Sequence, residues 1–298
     1  MIMHVRNWVS TLYKGVPAFG YNSAAKMRYL DRRPDKNSRR ATLGFWLSAG
    51  VLCCFAAVAG RAYAITNFNQ TDVQWKVCTG VLVNGSRCAG GSADPTSWSQ
   101  TFEIATPSLD GESMELSLSG PAYANVGWYY DTGANDSATH FTLDMQFYVP
   151  SKADVQALEF DQYQYLLAGH GGVTSNTRLY FGTQCVTGGH WWIWDSSGIG
   201  WVDTNASCNY TARAFHRLII AVHRVSGDMS CGGRPCMYYD SISVGGTTYV
   251  SNKKTNSGAL PSGWGEQTGL MLQLDTGGSC GSACTIREYV DEGNFTLQ

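Results

Sequence analysis

Apolar and polar residues alternate along most of the chain after residue 64. In 141–149 every odd-numbered residue is apolar, and the same alternation runs through 177–184, 215–224 and 268–275. A period of two is typical of β-strands with one buried face. The sequence therefore predicts an all-β, antiparallel jelly-roll sandwich with a short helical turn at 150–156 and a last strand that pairs near the first. Further strands are predicted at 101–104, 114–119, 125–130, 155–164, 190–195, 199–202, 237–244, 246–251 and 285–297.

Residues 1–64 have a different pattern. The 17 residues of 43–59 carry no charge, follow Arg39 and Arg40, and precede the small-x-small sequence of residues 62–64. This layout is typical of a secretory signal peptide, with a membrane anchor as the alternative and a weak similarity to a twin-arginine signal. We therefore expect a leader over 1–64, a single domain over 65–298, and a secreted location, either extracellular or periplasmic.

The charge of the chain is divided unevenly between these parts. Residues 1–64 hold 10 basic and 2 acidic side chains, which leaves 11 basic and 21 acidic side chains in 65–298. The second part is therefore acidic, and it repels nucleic acid and anionic lipid. We expect no nucleic-acid partner, no membrane partner after signal cleavage, and no strongly polyanionic glycan.

Eight cysteines follow residue 64. An even number in an exported chain indicates disulfides, and the absence of a C-x-x-C pair makes the rival zinc interpretation weaker. Their spacing favours four local pairs: Cys78 with Cys88, Cys185 with Cys208, Cys231 with Cys236, and Cys280 with Cys284.

Three strings of residues, 155–161 (VQALEFD), 181–185 (FGTQC) and 189–195 (GHWWIWD), are distinctive. In them the chain resembles a group of exported, largely uncharacterised bacterial proteins with concanavalin-A-like lectin/glucanase sandwiches. The resemblance covers roughly 100–298. It implies that fold and a sugar-related role, without an established reaction.

A looser resemblance is to laminarinase-type retaining glucanases, whose motif is E-x-D-x-E, or E-x-D-x-x-E with a bulge. That resemblance implies Glu159 as nucleophile and Asp161 as its helper. The third, acid/base position falls on Tyr163 without a bulge or on Gln164 with one. Neither is a carboxylic acid, so the standard double displacement lacks its proton donor.

Alternation places a set of sugar-compatible side chains on one face of the predicted sheet. Flat aromatic rings stack on sugar rings, while carboxylates and amides hydrogen bond to hydroxyls. The candidate catalytic residues are Glu159, Asp161 and Asp275. The candidate binding residues are Tyr163, Arg178, Tyr180, Gln184, His190, Trp192, Trp194 and Gln273.

Each group also has a purely structural interpretation. The two acids of 155–164 would then bond to neighbouring strands or to Arg178, and at least half of the tryptophans would fill the core. Gln273 and Asp275 would cap a glycine turn, and His190 would bond within its loop.

Three functions are compatible with the set. The first is binding of a largely uncharged polysaccharide in a concave groove lined by tryptophans and carboxylates. The second is glycoside hydrolysis with Glu159 as nucleophile and Asp275 as proton donor. The third is a jelly-roll polysaccharide lyase with Tyr163 or His190 as base and with Arg178 and Gln184 neutralising a uronate. No catalytic metal or cofactor is expected, although the oxygen-rich loop 131–136 is compatible with a structural calcium ion.

Overall fold

Two large antiparallel sheets make up most of the structure, a computed structural model that describes residues 63–70, 74–79, 82–83, 86–87, 93–226 and 228–298. In chain order the strands are β1 (Tyr63–Ile65), β2 (Trp75–Thr79), β3 (Leu82–Val83), β4 (Ser86–Arg87), β5 (Ser97–Ile104), β6 (Ser113–Gly120), β7 (Asn125–Asp131), β8 (His140–Tyr148), β9 (Val155–Leu166), β10 (Thr177–Phe181), β11 (Thr183–Val186), β12 (His190–Asp195), β13 (Gly200–Ser207), β14 (Phe215–Arg224), β15 (Cys236–Val244), β16 (Thr247–Asn256), β17 (Gly258–Ala259), β18 (Gln267–Thr276) and β19 (Cys284–Leu297).

The eight-stranded sheet, which we name the back sheet, has the order β16-β15-β14-β8-β19-β6-β5, and β1 pairs with β19. The nine-stranded front sheet has the order β13-β12-β11-β9-β18-β7-β2. In the front sheet β10 also pairs with β9, next to β11, and β17 pairs with β10. The strands β3 and β4 form a separate hairpin. The predicted antiparallel sandwich is therefore confirmed.

Aromatic side chains from both sheets fill the space between them. Phe160 of the front sheet lies 5.5 Å from Phe147 of the back sheet and 6.4 Å from Trp191, measured between ring centroids. Phe181 is 6.0 Å from Tyr239 in the same way. Each fully buried side chain of this kind contributes about 1.5–3 kcal/mol to the free energy of unfolding. One face of each core strand is therefore buried between the sheets, and the opposite face is available for binding or catalysis.

Two predicted elements differ from the structure. The predicted strand 177–184 is two strands, because the chain breaks at Gly182 between β10 and β11. The predicted helical turn at 150–156 is wrong. Pro150 removes a backbone donor and Asp154 has a φ of 67°, so the segment forms a turn that leads directly into β9.

The last strand pairs with β6, the neighbour of β5, and so lies close to the first predicted strand, 101–104. It also pairs with β1, which was not predicted. Tyr63 lies opposite Leu297, and Ile65 lies opposite Phe295. Tyr63 and Ala64 thus take part in the back sheet, while residues 1–62 lie outside the described residues. The leader over 1–64 and the apolar segment 43–59 stay predictions. Among the described residues, no helix has the length and apolar character needed to cross a bilayer.

Three of the four predicted disulfides are confirmed. They join Cys185 to Cys208, Cys231 to Cys236 and Cys280 to Cys284, with Cα atoms 5.5, 5.2 and 5.1 Å apart. The fourth pair involves Cys88, which lies outside the described residues. Disulfides persist in oxidising compartments, so these three are consistent with an extracellular location.

Candidate functional site

Strand β9 separates two sets of side chains. Leu158 and Phe160 point into the core between the sheets. Gln162 points the same way, since its amide donates to the Ile220 carbonyl of the back sheet at 3.3 Å. Because strand side chains alternate, Glu159 and Asp161 project from the opposite side, which we name the front face. The predicted orientation of the two acids is therefore found.

The pairing of β9 with β18 is regular through the candidate motif. Glu159 lies opposite Gln273, Asp161 opposite Met271 and Tyr163 opposite Gly269, without a bulge among them. The third position of the glucanase-like pattern is therefore Tyr163. Gln164 points inwards, where its amide donates to the Ala138 carbonyl at 3.0 Å. The strand itself supplies no third acid.

Asp161 hydrogen bonds to both strands at the break between β10 and β11. Its carboxylate accepts the backbone N–H of Thr183 at 2.9 Å and the hydroxyl of Tyr180 at 2.5 Å. The residue is fully buried. Burial raises the pKa of Asp161 to about 7, against the lowering effect of the Tyr180 and Thr183 hydrogen bonds. This carboxyl therefore stabilises the break between β10 and β11.

Glu159 and Asp275 form a carboxyl pair on neighbouring strands. Both side chains lie within reach of a single amide, that of Gln184. The Gln184 amide donates to Glu159 at 3.0 Å and reaches Asp275 at 3.5 Å, and Gln273 donates to Asp275 at 3.0 Å. The third carboxyl that β9 lacks is thus supplied by β18.

Burial makes the carboxyl pair harder to ionise. Burial, followed by the neighbouring charge of Asp275, raises the pKa of Glu159 well above its usual range. Burial raises the pKa of Asp275 to about 6, although its hydrogen bonds with Glu159, Gln273, Asn125 and Gln184 act in the opposite direction. Two close carboxyls cannot both ionise cheaply, so the pair titrates as a unit.

The prediction that these acids stand open in a hollow is wrong. Glu159 is 5% exposed, Asp161 0% and Asp275 6%. The side chains of Tyr180, Gln184 and Gln273 hydrogen bond to them and close over them. Three predicted binding residues are also buried, namely Tyr163, Trp194 and Gln273.

Aromatic rings form a wall beside the acids. The Trp194 ring meets Trp201 edge-on at 5.2 Å and Tyr180 edge-on at 6.1 Å. Gly182 makes this approach feasible, because a Cβ atom at that position would lie 2.8 Å from the Trp194 Cβ atom. Trp192, Trp201 and Tyr180 remain half-buried, and their accessible parts face solvent.

Two predicted residues lie away from the centre. His190, at the start of β12, bonds through Nδ1 to the Asp203 carboxylate at 3.0 Å. Arg178 lies towards the opposite end of the strands, across from Tyr165. The structure therefore does not bring His190 and Arg178 together.

Sequence reasoning missed Asn125, Trp201 and Asp203. Asn125 lies opposite Asp275, and Trp201 lies opposite Trp194. Asp203 lies opposite Trp192. The glycines at 198 and 200 mark a hairpin, and folding 190–207 about that turn would have placed Trp201 next to Trp194.

The loop 131–136 does not present a free set of calcium ligands. The Asp131 carboxylate accepts the Gly133 N–H at 2.8 Å and pairs with Lys76 at 3.4 Å. The Asn135 side-chain oxygen accepts the Ala138 N–H at 3.2 Å. No group of three or more His, Cys, Asp or Glu side chains suited to a metal ion occurs in the part of the chain that the structure describes.

No protein-family model matches this chain, and no curated protein sequence matches it. The resemblance to exported bacterial proteins therefore stays a prediction. Solved structures share the general sandwich shape at low similarity. One is a carbohydrate esterase from Shiga toxin-encoding bacteriophage phi24B, with 11% identity, a TM-score of 0.40, and coverage of 76% of this chain and 90% of the other.

Two further solved structures are similar to this chain at the same low level. An alginate lyase from a Chlorella virus has 13% identity, a TM-score of 0.40, and coverage of 68% of this chain and 93% of the other. Peanut lectin has 9% identity, a TM-score of 0.39, and coverage of 80% and 99%. At these values the likeness carries no argument about the activity of this chain.

Proposed function

We propose that this protein binds carbohydrate on the front face. The observation that carries the proposal is that half-buried aromatic rings lie beside hydrogen-bonding amides and carboxyls on the front face. Trp192, Trp201 and Tyr180 supply the rings, and Gln184 supplies a half-buried amide between them and the acids. Grooves that orient sugars combine such flat apolar surfaces with a few polar groups.

The carboxyls on the front face favour a neutral or cationic glycan over a polyanionic one. In the described part of the chain, none of the ion pairs includes Glu159, Asp161 or Asp275. A uronate brought to this centre would meet three carboxyls. The half-buried Arg178 lies towards one end of the face, away from the carboxyl pair.

The lyase mechanism is disfavoured for a second reason. Burial raises the pKa of Tyr163 well above its usual range, and its hydroxyl donates to the Tyr130 carbonyl at 3.4 Å. Such a phenol does not lose its proton readily. His190 lies at the opposite end of the strands from Arg178. The base and the uronate-neutralising arginine are therefore not assembled.

Glycoside hydrolysis has one observation in its favour. Burial raises the pKa of Glu159 well above its usual range and that of Asp275 to about 6, and acid/base chemistry uses carboxyls with raised pKa values. Cleavage requires the two carboxyls on either side of the glycosidic bond, about 5–5.5 Å apart for retention or about 6.5–9.5 Å apart for inversion. In this site the single Gln184 amide reaches both acids, at 3.0 Å and 3.5 Å, and takes the position of a substrate. We therefore favour binding without cleavage.

Affinity electrophoresis in gels containing β-glucan, xylan, mannan, chitin derivatives or alginate tests the proposal. We expect retardation by at least one neutral or amine-bearing polymer, none by alginate, and no release of reducing ends. Reducing ends formed by the wild type and absent with Glu159→Gln would establish the hydrolase instead. Failure to bind any polymer would reject the proposed function.

A further inference from the structure

The Glu159–Asp275 pair has no cationic partner among the described residues, and its neighbours are neutral amides. Gln184 donates to both acids, and Gln273 donates to Asp275. No positive charge therefore stabilises the ionised form of the pair, whereas buried charges are usually met by an opposite charge. An incoming cation would favour loss of the proton that burial retains on the pair.

Asn125 provides an independent sign of a missing ligand. It lies opposite Asp275 on β7, so the two side chains project from the same face of the sheet. The residue is 4% exposed, yet its carbonyl oxygen Oδ1 has no hydrogen-bond partner. A buried acceptor without a donor is costly. The group that would satisfy it must be a hydrogen-bond donor.

We infer that the ligand is a glycan with free primary amines, one of whose ammonium groups binds at Glu159, Asp275 and Asn125. An ammonium is a compact cation with three N–H donors and no acceptor. Three acceptor side chains therefore match its donors. This inference rests on the proposed function and specifies its substrate class.

The surroundings suit such a ligand. Glu159 and Asp275 keep 5% and 6% of their surface accessible, whereas Asp161 keeps none, so a ligand on the front face can contact the pair but not Asp161. The rings of Trp192, Trp194 and Tyr180 line the same face, and aromatic faces attract cations. Residues 65–298 carry 21 acidic and 11 basic side chains, which favours approach of a cationic polymer.

Isothermal titration calorimetry of the protein at pH 6 tests this inference. The two probes are a glucosamine oligomer with free amines and the same oligomer fully N-acetylated. We expect the free-amine oligomer to bind at least ten times more tightly. We also expect its binding to release up to one proton per site, seen as a dependence of the heat on the ionisation enthalpy of the buffer.

A variant separates the amine contact from the stacking contacts. Glu159→Gln keeps the shape of the side chain and removes its charge, so it should weaken binding of the free-amine oligomer at least tenfold. It should also abolish proton release and remove the preference for the free-amine oligomer over the N-acetylated one.

The outcomes also separate the two proposals. Equal or tighter binding of the N-acetylated oligomer by the wild type, or binding without proton release, would overturn the amine assignment and leave carbohydrate binding intact. Absence of binding by both oligomers and by the neutral polymers would reject both. The wild-type comparison needs no variant, so it holds even where Glu159→Gln affects folding.

Discussion

The Asp161 carboxylate accepts the Thr183 N–H at 2.9 Å, at the point where β9 changes its partner from β10 to β11. Asp161→Asn should lower the free energy of unfolding by about 1–3 kcal/mol, because a neutral amide has only one accepting atom. Its NH₂ group would leave the buried Thr183 N–H without an acceptor, or would require the Tyr180 hydroxyl to turn from donor to acceptor. Urea denaturation measures the loss.

Asp144→Asn is the matched control for that substitution. Asp144 pairs with the exposed Arg217 at 2.7 Å, and such surface pairs contribute less than about 1 kcal/mol. Equal losses for the two variants would contradict the structural role assigned to Asp161.

Trp192→Ala and Trp201→Ala should each weaken glycan binding by about fivefold to fiftyfold, since each removes a stacking ring from the front face. Both residues are half-buried, so we expect little loss of stability. Trp98→Ala is the control, because Trp98 is 44% exposed on β5 of the back sheet. A loss of affinity in Trp98→Ala as large as in the other two would move the site to another surface.

Glu288 is an acid enclosed in the core. It is fully buried, and neither carboxyl oxygen has a hydrogen-bond partner. Burial raises the pKa of Glu288 from 4.5 to about 8. The folded state therefore holds a proton that the unfolded state has lost, so this residue's contribution to stability declines as pH rises from about 4.5 to 8.

Glu288→Met should remove this pH dependence. We expect the variant to exceed the wild type by about 1–3 kcal/mol in free energy of unfolding at pH 8, and by less at pH 4.5. Thermal or urea unfolding at the two pH values measures the difference. The exposed Glu112→Gln serves as control and should show no such trend. A gap that narrows towards pH 8 would contradict the assignment.

The disulfides should differ in their contribution to stability. Cys185 and Cys208 are separated by 23 residues, whereas Cys280 and Cys284 are separated by 4. From loop-closure entropy in the unfolded state we expect the first disulfide to add about 3 kcal/mol to the free energy of unfolding and the second about 2 kcal/mol. Paired Cys→Ala variants, compared by guanidinium denaturation, measure both. The reverse order would show that native packing dominates at these sites.

Alternation alone predicts most of the strands, because a buried face imposes a period of two on the sequence. The strand predicted at 215–224 is found as Phe215–Arg224, and the prediction at 190–195 is found as His190–Asp195. The break at Gly182 was not predicted, since it depends on Trp194 and Trp201 approaching from neighbouring strands. A single strand pattern contains no information about that approach.

In the candidate site, too, alternation predicts the orientation of side chains but not their contacts with other strands. Alternation correctly assigns Glu159 and Asp161 to the face opposite Leu158 and Phe160. It does not predict their burial, which arises from side chains on other strands. The contact of Glu159 with Asp275 depends on the register of β9 with β18, and residues more than a hundred positions apart set that register.

Strand β19 lies between β8 and β6 although it follows both along the chain. Until residues 284–297 have been synthesised, the back sheet consists of two pieces, each with an unpaired edge. Such edges readily join other chains. Assembly of this sheet is therefore delayed until translation has passed β19, and truncated chains should accumulate as aggregates.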